Sequence, residues 1–279
     1  MRIKQGFLGC LAVGLAAGII RACEYLFTID KEGYYLHTGA ASFLSGALVG
    51  LLVVGFLWSL FCCFIRPAEE LNSEALIGGA SHLRSYFLVV GLVTAADGIS
   101  RFFFRDQLST LAGISCLLGA FGWIVASRAR KPLGAAALLA PLQMIGVIIA
   151  YFWTTYKYIH ISGCILETLA LCAQSLITLL VMKLLAGGTT SRARLARCCC
   201  WMLLLFPAAS LAPLLQMVKG VFSGQMIFNA INGIALTLLS IQILLSLNWR
   251  ATHEEPQIEL PGELNEYISE LPEIDDDII

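Results

Sequence analysis

The chain has 279 residues, of which 58% are hydrophobic and only 13% charged, and its mean hydropathy is +0.80. Ordinary soluble domains contain about a quarter charged residues. The hydrophobic residues come in runs of about twenty, the length that an α-helix needs to cross about 30 Å of hydrocarbon. This composition excludes an ordinary soluble domain and predicts an all-α integral membrane protein surrounded by the lipid bilayer.

The net charge of −1 averages two unlike regions. The segment after Arg250 contains ten of the 19 acidic residues and no Lys or Arg. The first 250 residues therefore hold 18 basic and 9 acidic residues, a formal charge of +9. The sequence predicts a basic membrane region followed by an acidic tail, and we expect no nucleic-acid partner.

Eight membrane spans are predicted in chain order. They cover residues 7–27, 38–65, 83–100, 108–127, 133–153, 162–186, 198–218 and 227–247. The first run is longer than a secretory signal and lacks a clear cleavage site, so we interpret it as a span. Pro207 and Pro213 predict a kink in the seventh span.

The loops between spans differ in basic charge. Eleven Lys and Arg residues belong to the N-terminus, the loops 66–84, 128–131 and 192–197, and Arg250, whereas five belong to the other side. Because basic loops stay on the cytoplasmic side, both termini are predicted to be cytoplasmic in a multi-pass protein of the cell membrane. The compact loops favour a bacterial origin.

Two parts of the chain resemble each other. The segments 25–28 and 151–154 match, as do 35–39 and 158–163. This predicts two tandem four-helix repeats, residues 1–127 and 128–250, followed by the acidic cytoplasmic tail 251–279. Each repeat has an even number of spans, so the two copies are expected to be parallel. The alternative is a chance resemblance between aromatic-rich loops.

Charged residues inside the predicted spans are candidates for a substrate or ion pathway, because burying charge in lipid is costly. Arg21 and Glu24 lie three residues apart and Asp97 and Arg101 four apart, so each pair shares one helix face. Glu167 has no such partner on its own helix. Under the predicted topology all five fall in the outer leaflet; the alternative is that the pairs only lock the bundle together.

Further polar residues are predicted at the outer helix ends. His37 with Arg101 and His160 with Lys219 could present cations to an anionic solute in an outer vestibule, and the histidines could titrate near neutral pH. The alternative is that both histidines are interface residues. Two histidines do not make a closed metal site, so we expect no metal and no cofactor.

Small residues and amides repeat within the spans. Gly14 with Gly18 and Gly46 with Gly50 have the four-residue spacing that lets helices approach closely. The second half also places an amide in every predicted span, which could join helices or line a pore: Gln143, Gln174, Gln216, Asn229, Asn232 and Gln242.

The acidic tail contains apolar residues at helical spacing. Leu264, Tyr267, Ile268 and Leu271 would share one face, which predicts binding to a cytoplasmic or membrane protein partner, or docking on the basic loop 192–197. A solvated, disordered tail is the alternative.

The function is interpreted from these features together. The leading hypothesis is a transporter-like permease for a small polar or charged solute. The first alternative is a non-catalytic membrane sensor or complex subunit that recruits a partner through the tail. The second is a membrane enzyme acting on lipid-linked substrates, although the chain lacks the serine-elbow, phosphate-loop and zinc-helix motifs.

Overall fold

The computed structural model describes residues 3–27, 39–63, 70–72, 81–104, 107–129, 132–155, 162–218 and 224–253. These residues form eight α-helices: α1 Ile3–Phe27, α2 Gly39–Cys63, α3 Ser81–Arg101, α4 Gln107–Arg128, α5 Leu139–Thr155, α6 Ser162–Leu185, α7 Arg192–Val218 and α8 Gly224–His253. The 3-10 helix Phe102–Phe104 follows α3, and Gly134–Leu138 precedes α5. Within the described residues, eight helices are long and apolar enough to cross a membrane, which confirms the predicted number.

Two helix ends differ from the sequence-based expectation. The predicted basic loop 192–197 is wrong, because α7 already begins at Arg192. Arginine is a good helix former, and the Ser191 hydroxyl accepts a hydrogen bond from the Arg194 N–H at 3.2 Å, which caps the first turn. Helix α8 continues to His253, so the first residues assigned to the tail are helical.

Contacts between helix ends define two ends of the bundle. The Trp201 indole N–H near the start of α7 donates to the Ser59 hydroxyl near the end of α2, over 2.9 Å. The Arg192 guanidinium at the start of α7 donates to the Leu247 carbonyl near the end of α8. We call this the terminal end, because α1 begins and α8 ends here, and the opposite one the far end.

A two-stranded antiparallel sheet also lies at the terminal end. Strand β1, Glu70–Leu71, belongs to the connection between α2 and α3, and strand β2, Thr190–Ser191, precedes α7. The sequence analysis did not predict these strands, because two residues are too few to show a periodicity.

Helix α7 forms the centre of the bundle and packs against α1, α2, α6 and α8. In its candidate span 78% of the residues are buried, against 17% in that of the peripheral helix α2. The exposed hydrophobic side chains on the outside of the bundle suit a lipid environment.

Glycines allow α1 to approach α7 closely. A Cβ atom at Gly18 would lie 2.5 Å from the Pro207 carbonyl oxygen, and Gly14 faces the Leu203 carbonyl oxygen. Pro207 has no N–H, so that Leu203 carbonyl has lost its helical partner and the Gly14 Cα–H lies against it. The predicted packing role of Gly14 and Gly18 is therefore confirmed.

The same prediction is wrong for α2. A Cβ atom at Gly46 or Gly50 would meet nothing within 4 Å, because α2 turns this face away from the other described helices.

Candidate functional site

Asp97 lies near the far end of α3 and is 1% exposed. Its carboxylate accepts two hydrogen bonds from Arg101, at 2.9 and 3.2 Å, so the predicted four-residue pair forms a two-pronged ion pair. The Asn232 amide of α8 donates to the same carboxylate at 2.9 Å, and the Cys116 thiol of α4 donates at 3.6 Å. Three helices therefore hold one carboxylate.

A chain of hydrogen bonds continues from Asn232 toward the middle of the bundle. The Thr94 hydroxyl donates to the Asn232 side-chain oxygen at 3.2 Å and accepts from the Gln143 amide at 3.4 Å. The Gln143 Oε1 atom is buried and has no hydrogen-bond partner among the described residues. The buried amides of α5 and α8 thus join helices, one of the two roles that the sequence analysis left open.

A second ion pair lies at the far end of α1. The Arg21 guanidinium donates to the Glu24 carboxylate at 2.5 Å, and both side chains are buried. The Ser45 hydroxyl at the start of α2 donates to the other Glu24 oxygen, also at 2.5 Å. The hydrogen bond from Ser45 to this pair joins α1 to α2.

Glu167 lies near the start of α6 and is partly buried. Its carboxylate accepts a hydrogen bond from the Tyr151 hydroxyl of α5 at 2.6 Å and interacts electrostatically with Arg21. Unlike Glu24 and Asp97, Glu167 forms no ion pair within 4.0 Å in the described part of the chain.

An apolar layer joins the two groups of charges. Cys116, which donates to Asp97, packs with Val147 of α5 and Leu171 of α6, and Tyr151 packs against the same cluster. The polar side chains therefore form an arc across the far end, interrupted by this apolar layer, to which every helix except α7 contributes. We call this the far-end arc, and its members are Arg21, Glu24, Ser45, Asp97, Arg101, Cys116, Tyr151, Glu167 and Asn232.

Polar and apolar layers alternate along the seam between α5 and α6. Tyr151 and Glu167 form the outermost layer, and Val147 and Leu171 the next. Gln143 lies four residues further along α5, about 12 Å below Tyr151, and its side chain lies against Thr94 of α3 and Gly119 of α4.

Further along α6 there are two more buried polar residues. Gln174 and Thr178 follow Leu171 at helical spacing, and they are 6% and 0% exposed. The Thr178 hydroxyl has no hydrogen-bond partner among the described residues, like the Gln143 oxygen. An unsatisfied buried polar group costs about 1–3 kcal/mol, so the Gln143 oxygen and the Thr178 hydroxyl are each expensive for a purely structural role.

Five of the eight predicted pathway residues lie in this region. Arg21, Glu24, Asp97 and Arg101 are at most 5% exposed, so they are packed inside the bundle and do not line the open vestibule that the sequence suggested. The other three, His37, His160 and Lys219, lie outside the described residues, as do the tail residues Leu264, Tyr267, Ile268 and Leu271.

The sequence analysis missed the partners that come from other helices. Ser45 and Tyr151 were not connected to a carboxylate, and neither was Cys116. Each interaction joins residues at least 16 positions apart, so no spacing rule within one helix could find it. The signal was the presence of hydroxyl, thiol and amide groups near the same helix ends as the charges.

Among the described residues, no group of three or more His, Cys, Asp and Glu side chains could hold a metal ion. No known protein family, curated protein or solved structure matches this chain.

Proposed function

We propose that this chain is a multi-pass membrane protein that carries a small polar or charged solute across the bilayer along the seam between α5 and α6. The observation that supports the proposal is Glu167. The carboxylates of Glu24 and Asp97 are each bound by an arginine, whereas Glu167 is bound by one hydroxyl. A carboxylate held by a hydroxyl can exchange its partner for a solute at a lower cost than one held in a buried ion pair.

The layers below Glu167 suit this role. Below Glu167 come first Val147 and Leu171 and then buried polar side chains on both helices, Gln143 on α5 and Gln174 and Thr178 on α6. Polar and ionisable groups within membrane helices are expensive and mark solute pathways in many transporters. The acidic charge favours a solute that is cationic or rich in hydrogen-bond donors, and the two pairs Arg21–Glu24 and Asp97–Arg101 hold the surrounding helices in place.

The test is flux through the purified chain in proteoliposomes. Solid-supported membrane electrophysiology would apply gradients of protons, Na⁺ and K⁺, and a panel of amines, amino acids and carboxylates. We expect at least one probe to give a current in the wild type, and Glu167→Gln to lower that current at least tenfold, because the amide keeps the shape but not the charge.

Glu70→Gln is the matched control, since Glu70 is exposed at the terminal end and its substitution should leave the current unchanged. Thermal unfolding must show that both variants are folded. Equal currents in Glu167→Gln and the wild type, or no current with any probe, would contradict the proposal.

A further inference from the structure

The terminal end of the bundle has a surplus of positive charge. Five basic residues lie at helix ends there, and we call them the basic face: Arg84, Arg128, Lys183, Arg194 and Arg197. Arg128, Lys183 and Arg194 are exposed, and the other two are partly buried. At this end the described residues include one acidic side chain, the exposed Glu70.

The cations of the basic face are not neutralised within the described structure. The ion pairs of the described residues join Arg21 to Glu24 and Arg101 to Asp97, both at the far end. Arg197 donates its Nε–H to the Ala193 carbonyl of its own helix at 3.3 Å, and the buried Nε atom of Arg84 has no hydrogen-bond partner among these residues. The basic face therefore offers donors and charge to an anionic occupant.

The acidic tail starts beside this face. The bond from Arg192 to the Leu247 carbonyl fixes the end of α8 against the start of α7, and α8 ends at His253. The following residues, 254–279, contain ten acidic residues and no Lys or Arg. At up to about 3.3–3.6 Å per residue, such a segment is long enough to reach any part of the terminal end.

We propose that the tail 254–279 docks on the basic face of its own chain. Two observations support the tail as the occupant of the basic face. Its charge is opposite to that of the face, and it is attached to α8 at the same end of the bundle. A single exposed ion pair contributes little, so several must form together, and the covalent attachment keeps the effective concentration of the tail high. Docking must weaken with salt, because the screening length falls from about 10 Å at 0.1 M to about 3 Å at 1 M.

Photo-crosslinking of the full-length chain tests this docking. A benzophenone amino acid placed at Tyr267 would be irradiated in neutral phosphatidylcholine proteoliposomes, and the linked peptides would be identified by mass spectrometry. We expect links to peptides that contain the basic face, with a yield that falls at least fivefold between 50 and 500 mM NaCl. At 50 mM NaCl, the double variant Arg128→Glu, Arg194→Glu should lower the crosslinking yield by the same factor relative to the wild type.

The matched control is Gln107→Glu, which adds negative charge at the exposed start of α4 on the far end and should leave the yield unchanged. A yield that responds neither to salt nor to the charge reversal overturns the proposal, as do links only between separate chains. Loss of the links in vesicles that contain phosphatidylglycerol also overturns it, since lipid headgroups would then occupy the face; retention supports it.

Discussion

Asp97 shows why a charged residue can occur inside an apolar helix. Its carboxylate is bound by Arg101 on the next turn and by donors from two other helices, so its charge is buried with its partners. Such a pair adds little stability by itself, but removing one member leaves the other charge buried and unpaired. The contribution of the ion pair to stability can therefore be measured only when one of its members is substituted.

The first prediction concerns this pair. Asp97→Asn should lower the free energy of unfolding by about 3–5 kcal/mol, because the buried Arg101 guanidinium would face a neutral amide in place of the Asp97 carboxylate. Adding Arg101→Met should restore part of the loss, since the buried charge is removed while the new amide oxygen on α3 can still accept from Asn232. Denaturant titration of the single and double variants in detergent measures both effects; a single variant within about 0.5 kcal/mol of the wild type would contradict them.

At this scale the sequence predicted the pairs but not their surroundings. The three- and four-residue spacings identified Arg21 with Glu24 and Asp97 with Arg101, because helix geometry alone brings such residues together. Tyr151 and Ser45 could not be assigned to Glu167 and Glu24, because the lateral arrangement of the helices decides which hydroxyl reaches which carboxylate. Glu24 and Asp97 are each paired with an arginine and Glu167 is not. Recognising this difference required both the spacing within each helix and the arrangement of the helices.

Among the helices, α1 and α7 illustrate how a proline and a glycine can act together. Pro207 removes one hydrogen bond from α7, and Gly14 on α1 places its Cα–H against the freed carbonyl of Leu203. Any side chain larger than hydrogen at Gly14 would push the two helices apart. The close contact between α1 and the central helix α7 thus depends on two residue types that are usually poor helix formers.

The second prediction compares two glycines. Gly14→Ala should destabilise the chain by about 1–3 kcal/mol, because its Cβ would overlap with α7. Gly50→Ala should leave the stability unchanged or raise it by up to about 1 kcal/mol, because its Cβ would meet nothing within 4 Å and alanine favours the helix. Thermal unfolding in one detergent compares them directly, and equal effects of the two substitutions would contradict the close packing of α1 on α7.

The number and approximate positions of the helices could be predicted, because a long apolar run satisfies its backbone hydrogen bonds in lipid by forming a helix. The start of α7 could not be predicted, because charge was taken to mark a loop although arginine also favours a helix. The strands Glu70–Leu71 and Thr190–Ser191 follow from the meeting of two distant connections, which no local pattern contains.

For the whole molecule, the two ends of the bundle differ in chemistry. Among the described residues, those at the far end carry charges that are buried and mostly paired, whereas the basic face at the terminal end holds cations that form no ion pair. The orientation, with the terminal end in the cytoplasm, stays a prediction from the distribution of Lys and Arg between the loops. The two tandem repeats stay a prediction, since several of the matching segments lie outside the described residues.

The orientation and the spans can be tested together by labelling in intact cells. Phe103→Cys substitutes an exposed residue at the far end, and Arg194→Cys an exposed residue at the terminal end. A membrane-impermeant maleimide would be applied before or after permeabilisation, and the labelled peptides would be identified by mass spectrometry to separate them from the native cysteines. An eight-span bundle with cytoplasmic termini predicts that position 103 reacts in intact cells and position 194 only after permeabilisation. Reaction of both positions from the same side would contradict the membrane arrangement, and with it the proposed path below Glu167.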